Sequence, residues 1–184
     1  LLASVLISLA LLGCFKYADF FLESVNAVTG LSLPLPRLSL PIGISFYTFQ
    51  VLSYVIDVYR GDTPAQRSFI DLAAYVSLFP QLIAGPIVRY SDVAGQLQTR
   101  VHSRSAAAEG VRRFAAGLSK KVLLANQFGA LADICKQTQD ASVLFIWLYA
   151  VAFLLQVYFD FSGYSDMAIG LGRIFGFRFP ENFN

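Results

Sequence analysis

The chain has 184 residues, of which 56% are hydrophobic and only 14% charged, with a mean hydropathy of +0.58. A water-soluble domain carries about 25% charge, so this chain has too little polar surface to face water and lipid is its expected solvent. The net charge of +2 is too small for a nucleic-acid-binding surface, and the two cysteines, Cys14 and Cys135, lie too far apart to read as a metal-binding or redox pair.

In chain order, Leu1 to Phe15 is an apolar run somewhat shorter than the roughly 20 residues that cross a bilayer. Lys16 and Tyr17 follow as interface anchors, and Ala18 to Gly30 is expected to continue the helix along the headgroups. Pro34, Pro36 and Pro41 make the next stretch an extended connector. A second span is expected from about Ile42 to Tyr59, ended by Arg60-Gly61-Asp62. Gln50, Tyr54 and Asp57 recur on it at helical spacing, so that this face turns toward protein or a water-filled cavity. Ser68 to Phe79 predicts a third apolar helix, broken by Pro80-Gln81-Leu82-Ile83-Ala84-Gly85-Pro86. Such a break is tolerated at membrane depth where it is buried in protein or lines a cavity, and it reads as a packing kink or as part of a functional interior.

Seven of the 14 cationic residues fall between Arg89 and Lys121, which places that stretch on the cytoplasmic side by the positive-inside rule. Ser105 is the expected N-cap of a helix there. Val111, Phe114, Ala115, Leu118, Val122 and Ala125 keep helical spacing with Arg112, Arg113, Lys120 and Lys121 at the fringe, the pattern of an amphipathic helix in the interface. Its role is anchoring to anionic lipid or docking of a partner protein or nucleotide-bearing cofactor. Ala141 to Phe159 is the cleanest span, and it leads into Asp160-Phe161-Ser162-Gly163-Tyr164-Ser165-Asp166 and then a helix from Met167 to Phe175; Gly163 in the motif and Gly170 and Gly172 in the helix permit close helix approach.

That motif is the most informative segment. Ionisable residues within a span are costly and usually functional, but Asp160 and Asp166 do not share a helical face, so an acid–base dyad is not expected. Each carboxylate either ties down a broken helix or supports a site. Asp160 requires a hydrogen-bond or cationic partner, and Arg89 is placed to meet that carboxylate or a phosphate group. His102, the one histidine, lies in a basic loop with no apolar pocket, and is expected to be exposed and dispensable. No nucleophile elbow, metal-binding helix or phosphate loop is found in the sequence, and no metal is expected.

Five segments together resemble the membrane-bound O-acyltransferase (MBOAT) family, in its bacterial alginate O-acetyltransferase branch. They are Leu40 to Gln50, Asp57 to Gly61, Phe79 to Arg89, Gly117 to Val122, and Phe159 to Gly172 with Phe179-Pro180-Glu181-Asn182-Phe183-Asn184. The resemblance implies an all-α polytopic domain, part of a ring of transmembrane helices around a tunnel, with about four membrane-embedded segments, broken helices and one interfacial helix. It implies acetyl transfer to hydroxyls of an exported polysaccharide from a cytoplasmic donor, acetyl-CoA or an acyl carrier, with no tightly bound cofactor. The implied setting is the bacterial inner membrane, with periplasmic acetyl-transfer proteins or the polysaccharide itself as partners. The family's key histidines belong to a segment after the Pro-Glu-Asn-Phe motif, so residues 1–184 read as an internal piece of one longer domain that holds no catalytic residue. Gln50, Gln81, Arg89, Asp160, Ser162, Tyr164 and Asp166 are the candidates for tunnel lining or structural support. D-alanyl transfer to teichoic acid, on the same architecture, and a transporter with broken helices are the rival readings.

Overall fold

A computed structural model describes residues 1–81, 88–138 and 142–183. Among the described residues the chain is helical, without strands, and gathers into two compact units, residues 1–78 with 89–91, and 79–88 with 92–184.

In the first unit, α1 (Leu2–Leu12) and α2 (Ala18–Thr29) are joined by a π-helical stretch, Gly13–Tyr17, into one continuous helix. At 28 residues it is about 42 Å long, more than a hydrocarbon core of about 30 Å. Residues 18–29 therefore extend the first apolar run. The proline-rich connector that follows is irregular, as its composition demands, and Asn26 pins it: its amide donates to the Leu33 carbonyl at 3.0 Å and accepts from the Leu33 N–H at 2.9 Å. Next, α3 (Ile44–Arg60) packs against α1 and ends at Gly61, whose φ of +83° is open to glycine but costly for other residues. Ile44, Thr48, Tyr54 and Asp57 form its buried face.

α4 (Phe69–Val76), N-capped by Ser68, has only 8 residues, or about 12 Å. The expected third helix is therefore too short to cross a bilayer. The expected break that follows it is described only through a short 3-10 turn, Phe79–Gln81; residues 82–87 lie outside the described residues. Tyr54, Tyr75 and Tyr90 form a buried aromatic knot with ring centroids 4.9 and 5.3 Å apart. Gln66 ties it together, its N–H donating to the Tyr54 hydroxyl at 2.8 Å and its amide to the Tyr90 hydroxyl at 3.0 Å. Burial in this knot pushes the Tyr90 hydroxyl above its usual pKa.

α5 (Tyr90–Gln98) leads into the second unit, a helical hairpin. Its first arm is α6 (Arg104–Ser119), a π-helical stretch Lys120–Ala125, and α7 (Asn126–Gln137), all continuous. Its second arm is α8 (Val143–Ile174), 32 residues without interruption. Two expectations are corrected here. Ser103 and not Ser105 caps α6, its hydroxyl accepting from the Ala106 N–H at 3.1 Å. The Asp160–Asp166 motif lies inside an unbroken helix, because nothing in it lacks a backbone N–H and its glycine is satisfied by helix packing.

α6 also carries a packing face that its apolar spacing did not show. Val111, Leu118 and Val122 are exposed, while Gly110, Gly117 and Ala125 are buried. The face covered by α8 is thus a small-residue stripe. α8 and the 2–29 helix are the two described helices long and apolar enough to span a membrane, with 6% and 0% of their most apolar windows buried in protein. Leu144, Trp147, Phe153 and Leu154 on α8 are all at least half exposed. An apolar face so extensive belongs against lipid or other membrane helices.

Candidate functional site

The site is built by the close contact of α6 with α8. Gly110 and Gly117 are seven residues apart, two helical turns, and so are Gly163 and Gly170; in the antiparallel hairpin Gly117 faces Gly163 and Gly110 faces Gly170. A Cβ on Gly117 would stand 2.5 Å from the Gly163 carbonyl oxygen, and one on Gly110 2.5 Å from that of Gly170. Only glycine allows the two backbones to touch in this way. The approach brings polar side chains flanking the glycines into direct reach of one another.

Asp166 lies level with Gly117, between Arg113 one turn before it and Lys120 one turn after. One carboxylate oxygen of Asp166 accepts from Arg113 Nε at 3.0 Å and Nη2 at 2.8 Å; the other accepts from Lys120 Nζ at 2.6 Å. Lys120 Nζ also donates to the hydroxyl of the buried Ser162 at 3.0 Å. Lys121 turns the other way along α8 and donates to Asp160 at 2.5 Å. Adjacent residues point about 100° apart on a regular helix, and the wider π turn that starts at Lys120 carries both lysines to α8. The remaining edge of Arg113 donates to both carboxylate oxygens of Glu181, at 2.5 Å for Nη1 to Oε1. Glu181 foremost, and then Asp166, hold the Arg113 guanidinium above its usual pKa against the opposing effect of burial.

Three cations and three carboxylates thus neutralise one another between α6, α8 and the segment after α8. Lys120 is engaged by both Asp166 and Ser162, and Ser162 is only 1% exposed. The network braces the hairpin and keeps its charges satisfied; it does not hold a nucleophile open to substrate. A groove of about 410 Å³ runs beside it, along Arg112, Arg113, Lys120 and Asp166. A second cavity of about 430 Å³ lies between Thr99, Ser103, Glu109, Arg173, Phe177 and Arg178, with Arg173 paired to Glu109. No group of three metal-ligating side chains exists among the described residues.

Of the residues singled out from the sequence, the structure joins Ser162 and Asp166 on Lys120 and seats Asp160 on the neighbouring Lys121. The cation that meets Asp160 therefore comes from the π-helical stretch after α6. Tyr164 is half-buried on the same helix. Gln50 belongs to the first unit, where its side-chain oxygen is buried without a hydrogen-bond partner. Arg89 is exposed, and Gln81 closes the 3-10 turn at 79–81, its side chain lying outside what is described. His102 is an exposed loop residue, as expected. Sequence reasoning missed Arg113, Lys120, Lys121 and Glu181 as members of the network. The signal was present in the sevenfold spacing shared by Arg113–Lys120 and Gly110–Gly117, which puts cations beside a glycine seam.

An unbroken apolar helix whose polar end is stitched to a second helix through glycines and ion pairs is the architecture of a membrane-embedded helical protein. The sequence matches the MBOAT, membrane-bound O-acyltransferase, family over residues 63–184, and the chain belongs to that family. It is 52% identical to the probable alginate O-acetylase AlgI of Pseudomonas aeruginosa, over 100% of this chain and 36% of that protein. It is 35% identical to the peptidoglycan O-acetyltransferase of Helicobacter pylori, over 100% of this chain and 40% of that one. The teichoic acid D-alanyltransferase of Bacillus subtilis stands further off, at 26% over 78% of this chain and 37% of its own length. The chain thus spans well under half the length of these relatives.

Proposed function

We propose that this chain is part of a multi-pass O-acyltransferase of the bacterial inner membrane that acetylates hydroxyls of an exported polysaccharide such as alginate. The donor is a cytoplasmic thioester, acetyl-CoA or an acyl carrier. In the transfer the acetyl carbon–sulfur bond breaks and an ester carbon–oxygen bond forms, while the acceptor's hydroxyl proton passes through a general base to the leaving thiolate. Residues 1–184 contribute scaffold and tunnel wall within one longer domain, not that base. Each carboxylate of the α6–α8 network is committed to a cation, and His102 stands in an exposed loop.

The observation that carries this reading is the 52% identity to an alginate O-acetylase along the whole chain, twice the 26% to a D-alanyltransferase. Gln50, Gln81, Arg89, Asp160, Ser162, Tyr164 and Asp166 are proposed as tunnel-lining or supporting residues. The concentration of positive charge places Arg89 to Lys121 at the cytoplasmic face, near the donor.

The test is to feed radiolabelled acetate or D-alanine to cells producing the full-length protein and to its deletion strain, and to fractionate the envelope polymers. Loss of base-labile acetate label from the exported polysaccharide on deletion supports the reading. Loss of D-alanine label from an anionic envelope polymer, with acetate unchanged, assigns the rival acyl group instead.

A further inference from the structure

We propose that Arg113 is a positioning residue for the acyl transfer, acting through Asp166 and Glu181 to hold residues 176–183 in one register on the α6–α8 pair. This rests on the acyltransferase reading above. Residues 176–183 form no helix, yet they are secured along their length. Gly176 turns the chain with φ +81°, and the Phe177 N–H returns to the Gly172 carbonyl at 2.8 Å. Gln96 then serves the strap as a neighbouring strand would, accepting from the Arg178 N–H at 2.7 Å and donating to the Arg178 carbonyl at 3.2 Å. Phe177 and Phe179 stack and are both buried, and the Phe179 ring lies where a Cβ on Gly172 would stand, 2.5 Å from that position. Beyond them Glu181 is gripped by Arg113, and Phe183 meets Tyr158 edge-on at 5.9 Å.

A segment that merely connects two elements needs none of this, and connecting segments are ordinarily the mobile part of a fold. Phe177 and Phe179 already anchor the strap by burial. The Arg113–Glu181 pair adds little to its affinity, because Glu181 is 42% exposed and exposed pairs contribute weakly. What the pair adds is geometry. A guanidinium with both edges occupied, one on α8 and one on the strap, fixes their relative offset; a lysine ammonium is a point charge on a flexible stem and cannot do so. Misplacement of a group near a reacting centre by about 1 Å is enough to cost rate with little effect on binding.

The full-length protein, solubilised in detergent and also in inverted membrane vesicles, provides the test, with Glu181→Gln and Arg113→Lys as variants. Trypsin cleavage at the Arg178–Phe179 bond reports the register directly and is independent of the chemistry. Acetyl transfer from radiolabelled acetyl-CoA to alginate oligosaccharides reports its consequence. The expected result is cleavage accelerated by about threefold in both variants, the scale of an exposed ion pair, with kcat lowered by about tenfold, KM for acetyl-CoA unchanged and wild-type protein levels. Wild-type cleavage and kcat in both variants would overturn the proposal. So would faster cleavage with unchanged kcat, or a loss of activity that only follows a loss of protein. A wild-type protein that transfers no acetyl group, with or without a periplasmic extract and whatever the protease result, would instead sink the acyltransferase reading and the positioning role with it.

Discussion

Asp166 and Asp160 look alike in the sequence, two aspartates six residues apart at the end of an apolar run, and the structure separates them. Asp166 is 13% exposed at its side chain and accepts from two cations; Asp160 is 42% exposed and accepts from one. Removing one partner of a buried pair leaves uncompensated charge and costs about 3–5 kcal/mol, whereas an exposed pair is worth about 0–1 kcal/mol. Asp166→Ala removes the carboxylate of Lys120 and one of the two held by Arg113, so it should lower the melting temperature of the solubilised full-length protein sharply. Asp160→Ala should shift it little. Fluorescence-detected size-exclusion melting curves check the order, and equal shifts would contradict it. That Asp160 needs a partner was legible from the cost of an unpaired carboxylate near lipid. Which cation it meets was not, because a long-range pair such as Lys121–Asp160 leaves no trace in local spacing.

The elements show a similar division. α3 and its end at Gly61 were readable because a polar stripe at helical period and a glycine stop are local signals. The continuity of α8 was not: Asp160 to Asp166 is polar enough to suggest a broken helix when the partner that satisfies it is unseen. On α6 the large apolar residues marked the face that the protein leaves uncovered, while the glycine stripe that α8 covers was overlooked. The glycine seam is therefore the feature on which the hairpin depends. Gly117→Val should force α6 and α8 apart, since even a Cβ there would lie 2.5 Å from a backbone oxygen with no flexible side chain to yield. The expected outcome is severe loss of folded protein in the membrane. Gly95→Ala, on α5 where a Cβ meets nothing within 4 Å, should accumulate normally. Immunoblots of membrane fractions compare the two.

At the scale of the whole molecule, composition alone identified the solvent, because too few charges exist to cover a water-facing surface. Two apolar helices among the described residues are long enough to span a bilayer, and the positive-inside rule predicts a cytoplasmic location for Arg89 to Lys121. In a cysteine-free background of the full-length protein (Cys14→Ser, Cys135→Ser), His102→Cys should react with an impermeant maleimide in inverted vesicles and stay unmodified in spheroplasts. Labelling from outside would reverse the orientation and with it the side from which the donor arrives. The central claim, that the protein acetylates an exported polysaccharide, is tested most directly by the ester-bound acetate on that polymer, measured by proton NMR. Deletion of the full-length gene should abolish the acetyl signal, and the wild-type gene supplied in trans should restore it. An acetyl signal that persists at its wild-type level in the deletion strain would contradict the account.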